Sequence, residues 1–136
     1  MLWLWLCLEF ILYTSIKDNP EVNAKMNENS IEFKKEEAIS FSDIENIQFY
    51  DHVQLEIVPN GYRWGNDDYY SGDANVNIKK GEKILKSIYK GKVYINTNNK
   101  SYIVLNIKGT SKFYVFNLST EKKTKQMYNK LLERIQ

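Results

Sequence analysis

The chain has 136 residues, of which 43% are hydrophobic and 26% charged, with a formal net charge of +2. That length suits one hydrophobic core, and the composition excludes a disordered chain. The small charge, with lysines interleaved among Asp and Glu, reads as a solvated surface and not as a nucleic-acid footprint, so no nucleic acid is expected.

Residues 1–13, MLWLWLCLEFILY, carry Glu9 as their single charge. A membrane-spanning helix needs about 20 apolar residues, and this run would reach only about 20 Å as a helix. It lacks the basic start and small-residue cleavage site of a signal peptide. The run is read as the remnant of a membrane helix or as an interfacial anchor, with Trp3, Trp5 and Phe10 as its anchoring side chains. Packing on the domain or on a partner is the alternative, and Glu9 opposes deep insertion. Residues 14–29 are polar, contain Pro20 and read as a linker, with a short strand around 21–24.

From Ser30 onward the pattern has period two. Ile31 and Phe33 alternate with polar neighbours, residues 38–41 give a second short strand, and Ser42 and Asp43 cap a brief turn before residues 46–50. Val53, Leu55 and Ile57 alternate up to the turn signal Pro59-Asn60-Gly61. Residues 61–72, GYRWGNDDYYSG, are expected to be a loop. Ala74, Val76 and Ile78 alternate up to the turn Lys79-Lys80-Gly81, and residues 84–89 are apolar but irregular. Residues 92–96 and 101–107 are expected to pair across a hairpin loop at 97–100, with residues 112–118 next after a tight connection. These short strands suggest an antiparallel meander. In the last segment the period changes. Ser119 or Thr120 can cap a helix to about Ile135, with Thr124, Met127, Tyr128, Leu131 and Ile135 on one stripe. Nothing follows that helix, so its stripe must lie on a face or end of the sheet.

The strand Ser30 to Phe33 and the phrase Ile39-Ser40-Phe41-Ser42-Asp43-Ile44-Glu45-Asn46-Ile47 are followed by the glycine loop from Gly61 to Gly72. Then come Tyr102-Ile103-Val104-Leu105, Tyr114-Val115-Phe116-Asn117-Leu118 and the helix with Thr124 and Met127-Tyr128-Asn129-Lys130-Leu131. In that order they resemble the bacterial pleckstrin-homology-like domains, the small membrane-associated kind of low-GC bacteria. The resemblance covers residue 30 to the end and implies a seven-stranded barrel, or two orthogonal sheets, capped by a helix. It also implies membrane helices ahead of the domain. The segment Asp73-Ala74-Asn75 departs from the family phrase. The loop after the opening strand, Lys34-Lys35-Glu36-Glu37, balances two bases with two acids, so phosphoinositide binding is not carried over.

Little catalytic chemistry is legible. Cys7 alone excludes an intramolecular disulfide, and with one histidine, His52, the usual zinc ligand sets are missing. A calcium loop counted from Asp67 would need acids where Tyr69, Ser71 and Ile78 stand. On a strand, Asp51 and His52 would face opposite sides and could not orient each other. No cofactor, metal or catalytic residue is therefore expected, and the chain reads as a non-enzyme. Tyr62, Arg63, Trp64, Tyr69 and Tyr70 are the residue types of a binding hot spot, with packing on the sheet rim as the plainer reading. Lys79, Lys80, Lys83 and Lys86 form the densest basic stretch and could face an anionic surface, or simply guard a sheet edge.

The expectation is thus a mainly β (α+β) PH-like domain over 30–136, capped by one C-terminal helix. It would act as a membrane-proximal binding or scaffolding module on the cytoplasmic side, its partner a protein or the membrane surface. A cytoplasmic interaction or self-assembling domain is the alternative.

Overall fold

Period-two alternation of apolar and polar residues sets most of the backbone as strand, and where the alternation breaks the strands bulge. The computed structural model describes residues 23–34, 37–65 and 69–135, with 60–65 described by backbone alone. Three short strands, β1 (Ala24–Met26), β2 (Ser30–Phe33) and β3 (Glu37–Ser40), form a small antiparallel sheet in that order. The second sheet holds β4 (Ile44–Tyr50), β5 (Gln54–Gly65), β6 (Tyr69–Lys80), β7 (Lys83–Asn96), β8 (Tyr102–Ile107) and β9 (Phe113–Phe116). Its order is β4-β8-β9-β7-β6-β5, and one helix, α1 (Glu121–Ile135), ends the fold.

The protein is therefore mainly β with one C-terminal helix, as the sequence implies. The large sheet does not close into a barrel, because β4 and β5 are its two edges. Nor is it a simple meander. β9 inserts between β7 and β8 and runs parallel to β7, so residues 97–100 join non-adjacent strands and are not a hairpin loop. The expected loop at 61–72 is instead mostly the end of β5 and start of β6, paired Arg63 to Gly72, Trp64 to Ser71 and Gly65 to Tyr70. Its aromatic content, a strand preference, outweighs its glycines. The turn expected at Pro59-Asn60-Gly61 is a register shift within β5. The turn expected at Lys79-Lys80-Gly81 does form, with Gly81 at φ +63°, a conformation that glycine adopts without strain.

Register assigns the two faces of the large sheet. Phe49, Ile103, Phe116 and Tyr94 line up across β4, β8, β9 and β7 on one face, and Gln48, Val104, Val115 and Val93 on the other. The first face carries the small sheet and the helix. Phe33, fully buried, stacks on Tyr94 and Tyr114 at 5.3 and 4.9 Å and meets Phe116 edge-on at 4.9 Å. The expected helix stripe docks here too, with Thr124, Met127 and Leu131 buried and Tyr128 against Phe49 at 5.5 Å. Burying Met127 and Leu131 contributes about 1.5–3 kcal/mol each. Thr120 caps the helix, its hydroxyl accepting from Lys123 N at 3.1 Å.

The second face is covered by the sheet itself. Val76, Ile78 and Ile88 share one core with Val104, Val115 and Tyr102, so β5, β6 and the first half of β7 fold over that face. Two register shifts between β6 and β7, at Ala74/Val76 and Ile78/Lys79, supply the bend. At the first, Gly91 lies so close to Ile88 that a Cβ would fall 2.8 Å from its Cγ2.

The linker expected over 14–29 enters the folded body by Asn23. Buried Asn23 donates to the Asn117 carbonyl at 2.9 Å, and β1 pairs with β2. Asn117 is the centre of a buried polar network. Its Nδ2 donates to the carbonyls of Asn96 and Asn99, both at 3.1 Å, and its Oδ1 accepts from Asn96 N at 2.6 Å. Asn99 in turn donates to the Leu118 carbonyl and Thr124 Oγ1, each at 3.0 Å, tying the irregular chain at 97–100 to the helix.

Candidate functional site

The β5–β6–β7 ribbon has an outward face that register identifies. Glu56, Asn77 and Ser87 form one row across it, Gln54, Lys79 and Ile84 the next, and Val58 sits opposite Asn75. A polar ladder runs along the first row, from Ser87 to Asn77 at 2.8 Å and from Asn77 to Glu56 at 3.0 Å. Lys79 adds an ion pair to Glu56 at 3.3 Å, and those donors hold the Glu56 carboxyl below its usual range. Around this ladder lie Val58, Ile84, Leu85 and Tyr89, exposed by 55, 52, 38 and 72%. They are the exposed large hydrophobic side chains of the described residues. Leu85 owes its position to the bulge, being the extra residue between the pairs Ile78–Lys86 and Lys79–Ile84.

The lysines expected to act together are divided by the fold. Lys80 and Lys83 are exposed at the β6–β7 turn, while Lys79 is engaged with Glu56. Lys86 falls on the core side, its Nζ 4.8 Å from the centre of the Phe113 ring. Lys90, exposed beside Tyr89 and 5.3 Å over its ring, joins the outward group. The expected aromatic surface also divides. Tyr70 is 7% exposed within the second core, and Tyr69 is half-buried, so neither is an open contact residue. Arg63 and Trp64 pair with β6 by backbone and Tyr62 lies in the register shift of β5; the side chains of all three lie outside the described residues, as do Trp3, Trp5 and Phe10.

Two polar clusters were not legible in one dimension. The first centres on Glu37 at the start of β3, which accepts hydrogen bonds from the Tyr114 and Tyr94 hydroxyls. Lys92 and Lys112 approach it at 3.6 and 3.4 Å. Burial pushes the Glu37 carboxyl up, but the Tyr114 hydroxyl and the two ammonium groups outweigh it and hold the carboxyl below its usual value. Burial and the Glu37 hydrogen bond push the Tyr114 hydroxyl well up. The cluster ties the small sheet to the large one.

The second lies where β4 turns into β5. His52 does not sit on a strand: its φ is +52°, which turns its ring toward its neighbour. Nε2 of His52 lies 3.4 Å from Asp51 Oδ2 and 3.8 Å from Oε1 of Glu121, the first residue of the helix. The expectation that Asp51 and His52 face apart is corrected, since it assumed a strand where the chain turns. Ser101 donates its hydroxyl to the other Asp51 oxygen and lowers the carboxyl's pKa.

No helix among the described residues is long and apolar enough to cross a membrane. No family model, no curated protein and no solved structure matches the chain.

Proposed function

We propose that the chain is a non-catalytic, membrane-proximal binding or scaffolding module, an open variant of the PH-like plan, whose β5–β6–β7 ribbon meets an anionic lipid surface. One observation carries this reading. The exposed large apolar side chains of the described residues, Val58, Ile84, Leu85 and Tyr89, gather on that ribbon beside Lys80, Lys83 and Lys90. Apolar side chains enter the headgroup boundary, and lysines near an anionic surface contribute about 1 kcal/mol each. Three lysines and short apolar prongs give a transient contact, sufficient for a domain held near the bilayer by another segment. Residues 1–13, with Trp3, Trp5 and Phe10, are suited to that tether, and the anionic cytoplasmic leaflet is the surface the lysines would meet. A self-assembling domain is the alternative, since β5 is an edge strand beside the same patch.

The test is co-sedimentation of the full chain with vesicles of phosphatidylglycerol and phosphatidylcholine against phosphatidylcholine alone. Binding is expected to favour the anionic vesicles and to weaken with salt. The pairs Ile84→Ser with Leu85→Ser and Lys80→Glu with Lys83→Glu should each abolish that preference. Equal binding of all variants to both vesicles overturns the proposal. So does a concentration-dependent dimer lost only in the Ile84→Ser, Leu85→Ser pair, which assigns the patch to a second copy.

A further inference from the structure

Asp51, His52 and Glu121 bring together one imidazole nitrogen and two carboxylates, and their donor atoms all lie within 4.8 Å of one another. We propose that they form a binding site for a divalent ion of the zinc class, leaving its fourth position to water. Zinc bonds to nitrogen and carboxylate oxygen are about 2.0–2.1 Å, so donors at the corners of a tetrahedron stand roughly 3.3–3.4 Å apart. The His52–Asp51 separation of 3.4 Å already matches, and the His52–Glu121 separation of 3.8 Å needs a small side-chain movement. The mixed nitrogen and oxygen set favours a borderline ion, whereas magnesium and calcium take oxygen ligands in larger number.

Two features prepare the site. The Ser101 hydroxyl holds one Asp51 oxygen and leaves the other turned to the imidazole, the outer-shell support that metal-binding carboxylates commonly have. The Asp51 and Glu121 carboxylates lie within 4.8 Å of each other, and two neighbouring negative groups are stabilised by a shared cation. The His52 and Glu121 side chains are 73 and 47% exposed, so an ion enters without opening the core. Once bound, it would fasten the β4–β5 turn to the first turn of α1.

The experiment is titration of the full chain with zinc chloride by calorimetry, with magnesium as control and thermal unfolding as a second readout. Zinc is expected to bind at micromolar concentration with one ion per chain, and to raise the melting temperature. His52→Ala and Glu121→Gln should each weaken binding at least about tenfold and abolish the thermal shift. Both positions are exposed, and circular dichroism of the variants verifies that they fold. Cys7→Ser, which removes the other soft donor, should leave binding unchanged. Zinc binding that survives His52→Ala and Glu121→Gln, that is lost with Cys7→Ser, or that needs millimolar ion overturns the proposal.

Discussion

The two faces of the large sheet are covered by different means. The face bearing Phe116 and Tyr94 receives separate elements, the small sheet and the helix, and is fastened by stacked rings and buried hydrogen bonds. The face bearing Val115 and Val93 receives the outer half of its own sheet, and that half turns a wet, partly apolar surface away from the core. The first arrangement engages buried Asn23, Asn99, Asn117 and Thr124 in hydrogen bonds, which makes it costly to alter. The second leaves side chains such as Ile84 and Tyr89 with no internal role. Stability should therefore concentrate on one side and surface function on the other.

The sharpest way to break this comparison is Asn117→Ala, which strips partners from the Asn96 amide and the carbonyls of Asn96 and Asn99 inside the first region. The Asn96 carbonyl keeps a bond from Asn99 N at 3.3 Å, while the Asn96 amide and the Asn99 carbonyl lose their Asn117 partner at about 1–3 kcal/mol each, so urea denaturation should show a loss of about 4 kcal/mol. A loss under 1 kcal/mol would remove the network from the account of stability.

Alkaline titration probes the sheet between the two faces. Tyr102 is 2% exposed, and burial pushes its hydroxyl up to about 12 from 10.0. A raised folded-state pKa means that the unfolded chain ionises first. Stability is then full below pH 10 and falls as pH climbs toward 12, by roughly 2–3 kcal/mol. Tyr114, raised as well, adds a decline of the same sign. Denaturation midpoints across that range should fall steeply in the wild type and less steeply in Tyr102→Phe.

At the acid end the Glu37 cluster sharpens the contrast further. Its folded-state pKa is lowered, so its contribution is present above the ordinary 4.5 and disappears as pH falls below it. Glu37→Gln should cost about 1 kcal/mol at neutral pH, since a neutral acceptor still meets the tyrosines but not the lysines. It should also flatten the acid limb of the stability profile. An unchanged acid limb would mean that the small sheet is held by its rings and the Asn23–Asn117 hydrogen bond without help from Glu37.

Local signals were legible and remote ones were not. The helix could be read because Thr124, Met127 and Leu131 recur at helical spacing after a capping Thr120, and every one of those facts is local. The strands with clean alternation, such as β2, could be read for the same reason. The insertion of β9 between β7 and β8 could not, because the pairing of Val93 with Val115 leaves no mark on either segment alone. The stretch 84–89 looked irregular because a bulge at Leu85 breaks the alternation, and that irregularity was the one trace of the exposed patch. The meeting of His52 with Glu121 was hidden twice, by the distance along the chain and by a left-handed backbone that alternation does not foresee.

The smallest expected effect on stability belongs to the ribbon, and it is the most informative for function. Replacing Ile84 and Leu85 with serine removes no core side chain, since both are exposed at the surface, and surface changes of this kind usually stay within about 0.5 kcal/mol. Urea midpoints of the double variant should match the wild type while its preference for anionic vesicles disappears. Lys86 supplies the internal control. Its ammonium lies over Phe113 on the core side, so Lys86→Glu should lower stability more than the serine pair and change vesicle binding less than Lys80→Glu with Lys83→Glu. If Lys86→Glu instead weakens vesicle binding as much as Lys80→Glu with Lys83→Glu at the exposed ribbon tip, net charge and not the exposed surface of the ribbon governs the contact.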